Sequence, residues 1–158
     1  MKIQHACLAS LLMLVSLTVY ADANAPWGSA EVTAIHYAPA KVLYDVDKGD
    51  MAALSNILDR VSYLNTLYGA DPFDSSIVVV IHGGAIPFFG IRDFGKYKEL
   101  MIRAQSLAQS GTIEFRMCRA SAAILGYQPK DIHGFVKMVP MADAEIVRLQ
   151  KEGYAYMR

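Results

Sequence analysis

The chain has no surplus of charge. Its 158 residues carry 15 Lys and Arg against 15 Asp and Glu, so no basic stripe marks it for nucleic acid. Cysteine is scarce: two are present, at positions 7 and 118, too few for a structural zinc site or a disulfide scaffold. His36, His82 and His133 show no zinc spacing. Neither G-x-G-x-x-G nor a phosphate-loop lysine motif occurs, which disfavours nucleotide binding. No repeat or low-complexity tract appears, and beyond residue 25 no apolar run approaches the roughly 20 residues of a membrane span.

What is there begins with a leader. Residues 1–25, MKIQHACLASLLMLVSLTVYADANA, place Lys2 before an apolar run from Cys7 to Tyr20 and end in small residues. That layout reads as a signal peptide over 1–23, with Ala21 and Ala23 as the candidate cleavage residues. An uncleaved anchor is the alternative, but the run is short for a span. The leader also accounts for part of the 54% hydrophobic content. The expected mature protein is periplasmic or secreted, with no membrane association after cleavage. Cys7 leaves with the leader, so Cys118 stands alone in a compartment where thiols tend to pair. It is then buried and inert, paired with another chain, or a working thiol.

Residues 24–40 read as an N-terminal extension, in which EVTAIHY (31–37) alternates as an edge strand would. Residues 41–158 read as one α/β domain. KVLYDV (41–46) is a short strand, and Asp50 is placed to cap a helix whose apolar stripe runs from Met51 to Tyr68 and stops at Gly69. SSIVVVIHGG (75–84) is the strongest strand, and its continuous Ile/Val run implies burial on both faces. GGAIPFFGIR reads as a loop. A second helix spans 93–109, TIEFRM (112–117) is a third strand, and 119–125 form a short helix ended by Gly126. One helical turn fits YQPKDIH, GFVKMVP (134–140) is a fourth strand, MADAEIVRLQKEG (141–153) a last helix, and an aromatic tail follows. Strict alternation of strand and helix implies an open, flavodoxin-like, mostly parallel sheet with helices on both faces.

In such sheets, sites form outside the carboxyl ends of the strands. Those ends carry Asp45 and Asp47, His82-Gly83-Gly84, Cys118-Arg119 and Pro140-Met141. Cys118 falls where the third strand meets its helix, where free N–H groups and the helix dipole favour a thiolate; Arg119 and Arg116 add positive charge. Burial as a small apolar filler is the competing role. His82 is a candidate base or anion partner, or a histidine bonded to a loop, and Gly83-Gly84 permit a tight turn or a close ligand approach. The acids of DVDKGD lack the spacing of a calcium loop and read as a cap and solvated turn residues. In the loop AIPFFGIR, Ile86, Phe88, Phe89 and Ile91 form exposed apolar surface unless covered, for self-association or as a lid over Cys118.

The ordered set KVLYDVDKGD, VVVIHGG, SGTIEFRMCRASAAILGY and EIVRLQKEGYAYMR resembles the DsrE/DsrF-like proteins of bacterial sulfur metabolism, over residues 40–157. The resemblance implies a flavodoxin-like fold, homotrimers or hexamers, and sulfur carried as a cysteine persulfide on Cys118. It implies no organic cofactor and no metal. The relays known in that family work in the cytoplasm, whereas the leader here predicts export. The function expected is therefore an exported, sulfurtransferase-like carrier. Cys118 accepts the sulfur, Arg119, His82, Gly83 and Gly84 bind around it, and a donor or acceptor protein or a small sulfur compound is the partner. The alternative is a non-catalytic oligomeric binding module with a structural Cys118. A thiol hydrolase is a third class, set back by the lack of a resolving cysteine and of an evident base with an orienting partner.

Overall fold

Placing the site depends on which face of the sheet each strand residue occupies. The computed structural model describes residues 26–158; the leader, Cys7 and the cleavage positions lie outside the described residues. The chain divides into a unit up to Ile35 and a unit His36–Arg158 that holds every helix and strand described.

Five strands, β1 (Lys41–Val46), β2 (Ser76–Ile81), β3 (Ile113–Cys118), β4 (Val136–Val139) and β5 (Ala155–Met157), form one sheet in the order β4-β3-β2-β1-β5. Every pairing is parallel. The helices are α1 (Met51–Leu67), α2 (Phe94–Ala108), α3 (Arg119–Ile124) and α4 (Ala142–Lys151). Asp50 caps α1, its carboxylate accepting the Ala52 N–H at 2.9 Å, and Leu54, Ile57, Leu58 and Val61 bury the stripe read from the sequence.

The order of steps sets the layers. The chain moves from β1 to β4 in one direction, so right-handed crossovers place α1, α2 and α3 on one face. The return from β4 to β5 runs the other way and places α4 on the opposite face. Accordingly, Val42, Tyr44, Ile77, Val79, Ile113, Phe115 and Met117 join residues of α1, α2 and α3 in the larger core. Leu43, Val78, Val80 and Cys118 join Ala142 and Leu149 of α4 in a smaller one. Because β2 lies between both cores, all of Ile77–Ile81 is inaccessible, as its unbroken apolar run requires.

Three expectations change. EVTAIHY forms no strand: residues 31–37 are irregular and exposed, and the free edge of β1 is taken by β5 instead. The AIPFFGIR segment is not an exposed apolar loop. Gly83–Phe89 winds as a 3-10 helix that turns Ile86, Phe88 and Phe89 inward, to 0%, 4% and 0% exposure, leaving only Ile91 open at 49%. Phe88 packs edge-on against Tyr97 with ring centres 4.8 Å apart. The aromatic tail is itself a strand, too short at three residues for alternation to reveal it.

On the α4 face, the part of the sheet over β3 and β4 is covered by charge. Arg116 pairs with Glu114 and Glu145, Lys137 with Glu114, and Arg148 with Glu145 and Glu152. The hydrogen-bonded Arg148 is the main cause of the Glu145 carboxyl's fall from 4.5 to about 2; burial opposes the shift and Arg116 adds to it. A carboxyl depressed in the fold stabilises it above its unfolded value and ceases to as pH falls through the folded one. The urea midpoint should therefore drop as pH falls from 4.5 toward 2, and Glu145→Gln should flatten that limb. An acid limb equally steep in the variant would show that Glu145 does not contribute it.

Candidate functional site

The connections after β3 and β4 leave toward opposite faces of the sheet, the kind of divergence at whose carboxyl end open α/β sheets form their sites. Cys118 lies there. It closes β3 and caps α3 with an extended backbone, and its Sγ accepts the Ser121 N–H at 3.3 Å. The Ala120 N–H bonds the Pro140 carbonyl at 3.3 Å, strapping the start of α3 to the end of β4. The alternation of β3 sends Ile113, Phe115 and Met117 to the larger core and Glu114, Arg116 and Cys118 to the α4 face. Cys118 is 5% exposed and packs with Val80 and Ala142. Arg119 is exposed. Arg116 is committed to Glu114 and Glu145, which removes it as a free cation for the sulfur.

His82 extends β2 by one residue. Its backbone is extended (φ −153°, ψ −177°), and its N–H still bonds the Val46 carbonyl at 3.0 Å. Its Nε2 lies 2.7 Å from Asp45 Oδ1. The other carboxylate oxygen accepts the Tyr156 hydroxyl at 2.6 Å, and this bond to Asp45 is the main reason the Tyr156 phenol is held above its ordinary value of 10.0. A histidine with an orienting carboxylate is thus present, which residue spacing did not show. The sequence reading placed Asp45 at a strand end but treated it as a turn acid. It gave no role to Tyr156 or Ser121: both lie within the stretches that carry the family resemblance, but only the folded sheet brings them to Asp45 and to Gly83 and Cys118.

Gly83 and Gly84 serve the chain's own packing. Gly83 adopts φ +54°, and a Cβ on Gly84 would stand 2.7 Å from the Gly49 nitrogen and 3.3 Å from the Asp47 carbonyl. The close approach that glycine permits here is to the 47–49 turn. The Gly83 N–H donates to Ser121 Oγ at 3.0 Å, so Ser121 bridges the ends of β2 and β3, its hydroxyl to Gly83 and its N–H to Cys118.

Asp47 pairs with Arg158 at 3.4 Å. A cavity of about 240 Å³ opens beside these groups, lined by Asp45, Asp47, Lys48, Asn56, Arg60 and Arg158 among others; it reaches Asp45 and does not include Cys118. Among the described residues no three His, Cys, Asp or Glu side chains converge as a metal site, and no helix is long and apolar enough to cross a membrane.

The family model described as the DsrE/DsrF-like family matches residues 60–158. The match begins within α1, whereas the sheet begins earlier, at Lys41. Comparison with curated proteins gives no match. Among solved structures, a protein of unknown function from Methanobacterium thermoautotrophicum superposes with a TM-score of 0.58 at 22% identity, over 75% of this chain and 98% of its own. At that identity the likeness shows the fold alone.

Proposed function

The chain belongs to the DsrE/DsrF-like family, and on that premise we propose that it is an exported sulfur-handling protein that accepts sulfane sulfur on Cys118 and passes it on as a persulfide. The family points to a role of the sulfur-relay type. The observation that carries the finer reading is the placement of Sγ at the β3–α3 junction, with the Ser121 N–H directed at it. That donor is available to the negative sulfur that arises during transfer.

The chemistry is thiol exchange. The Cys118 thiolate attacks the outer sulfur of a donor persulfide, R–S–SH. A bond forms between Sγ and that sulfur, the donor's S–S bond breaks, and R–S⁻ leaves with the electron pair. The product is Cys118–S–SH, with no net oxidation. Delivery repeats the exchange with an acceptor thiolate. Arg119 offers a cation to an anionic donor, while His82, Gly83 and Gly84 form the wall toward β2.

The leader supports export, and the family supports a homo-oligomer, trimeric or hexameric. Ile124, in the helix that Cys118 caps, is 86% exposed, and Met141, just past the Val139 that pairs with Cys118, is 49% exposed; both give such an assembly apolar surface to cover.

Whole-protein mass spectrometry after exposure to inorganic polysulfide tests the reading. A gain of about 32 Da, one sulfur atom, is expected on Cys118 and absent in Cys118→Ser. A folded protein whose Cys118 alkylates readily yet gains no sulfur would exclude carriage. The 5% exposure of Cys118 favours a second reading, a non-catalytic oligomeric binding module. That reading requires a native thiol that resists alkylation and a Cys118→Ser variant with no functional cost.

A further inference from the structure

We infer that Tyr156, Asp45 and His82 form a hydrogen-bonded row across adjacent strands that ends at Cys118, with His82 as acid–base partner of the thiol and Asp45 and Tyr156 as the residues that position it. The inference deepens the reading of Cys118 as a working thiol and rests on it.

Register and alternation place the four residues. Val80 pairs with Asp45 of β1 and with Arg116 of β3, and Ile81 with Val46 and Met117. One further step along β2, whose extended path His82 continues, sets His82 beside Cys118. Strands lie about 4.8 Å apart in this direction. Val78, Val80, Leu43 and Cys118 share the α4 face. His82 and Asp45 lie two residues beyond Val80 and Leu43, hence on that same face. Tyr156 pairs with Leu43 from the far side of β1. The strand order β5-β1-β2-β3 is thus the order Tyr156, Asp45, His82, Cys118.

The hydrogen bonds give the row a direction. Asp45 accepts from Tyr156 at one oxygen and meets His82 Nε2 at the other. A carboxylate held this way keeps the imidazole proton on Nε2 and leaves Nδ1 as the basic nitrogen. Among the described residues Nδ1 makes no hydrogen bond. Ser121 ties the His82-Gly83 corner to Sγ through its two bonds. The step is a proton transfer alone: the S–H proton moves to Nδ1, leaving thiolate and imidazolium, and it returns to the departing donor thiolate after exchange. Asp45 lies against the imidazolium, as an orienting carboxylate must. The charged groups on the surrounding elements are Asp45, Asp47 and Lys48 of β1 and its turn, Arg60 of α1, Arg158 after β5, Arg116 of β3, Arg119 of α3, and Asp143, Glu145 and Arg148 of α4. Asp47 and Glu145 are already paired, with Arg158 and with Arg116 and Arg148 respectively.

The test is the pH profile of Cys118 alkylation by iodoacetamide, resolved by peptide mass spectrometry, in the native protein and in His82→Gln, Asp45→Asn and Tyr156→Phe. His82→Gln should slow alkylation at neutral pH by about tenfold or more and move the profile to higher pH. Asp45→Asn and Tyr156→Phe should move it the same way by less. Tyr156 is an edge residue 41% exposed, so its variant retains the fold and keeps the test decisive if another variant does not. Superimposable profiles in folded variants, or a native Cys118 that never alkylates, would overturn the row. Sulfur uptake from polysulfide with unchanged profiles preserves carriage and removes the row. Shifted profiles without uptake preserve the row and remove carriage.

Discussion

Phe115→Ala is expected to remove about 4 kcal/mol of folding free energy, near the top of the range for a single substitution. The ring is fully buried at the middle of β3. It meets Phe135 edge-on with centres 5.6 Å apart and Phe89 at 6.0 Å, so truncation leaves a cavity bounded by rings that a strand backbone prevents from closing in. A domain of this size loses roughly 4 °C of melting temperature per kcal/mol, and calorimetry should show a fall of about 15 °C on that scale. Against a total stability of about 5–15 kcal/mol, the variant approaches the limit of folding. A loss under about 1.5 kcal/mol would mean that the aromatic cluster collapses freely and does not anchor the strand that carries Cys118.

The second large effect is expected at Gly84. In Gly84→Val the first added carbon already stands 2.7 Å from the Gly49 nitrogen and 3.1 Å from its Cα, and backbone cannot swing aside as the end of a long side chain can. Overpacking of this kind costs up to about 3 kcal/mol. The strain falls on the contact between the 47–49 turn and the 83–84 corner, so amide exchange at Gly83 should accelerate as its bond to Ser121 weakens. Gly95 provides the contrast. It lies in α2 with nothing within 4 Å of a built Cβ, so Gly95→Ala should be neutral or stabilising by up to about 1 kcal/mol. Equal effects at the two positions would remove the close-approach explanation.

The layers were legible because each core-facing pattern has one solution. The Ile/Val run of 77–81 fits only a strand covered on both sides, and the alternation of Ile113, Phe115 and Met117 with Glu114 and Arg116 marks one apolar and one charged face. The capping of α1 by Asp50 and the position of Cys118 at the third strand's end followed from the same local rules. What escaped depended on distant partners. The apolar segment 85–91 looked exposed because local sequence does not reveal that Tyr97 and Phe115 receive its side chains. Three residues of β5 carry too little periodicity to be seen, and without β5 there is no reason to connect Tyr156 with Asp45. The Glu31–Tyr37 stretch alternates well enough for a strand, but alternation does not say which segment wins the edge of β1.

That edge also fixes an order in time. The Tyr156–Asp45 bond joins residues 111 positions apart, the latest strand of the domain to the earliest. During synthesis the β1–β2–β3 part of the sheet, with Cys118 at its end, emerges well before the strand that brings Tyr156. A growing chain therefore carries Cys118 before Tyr156 is there to bond Asp45, and that bond forms only once β5 has been made.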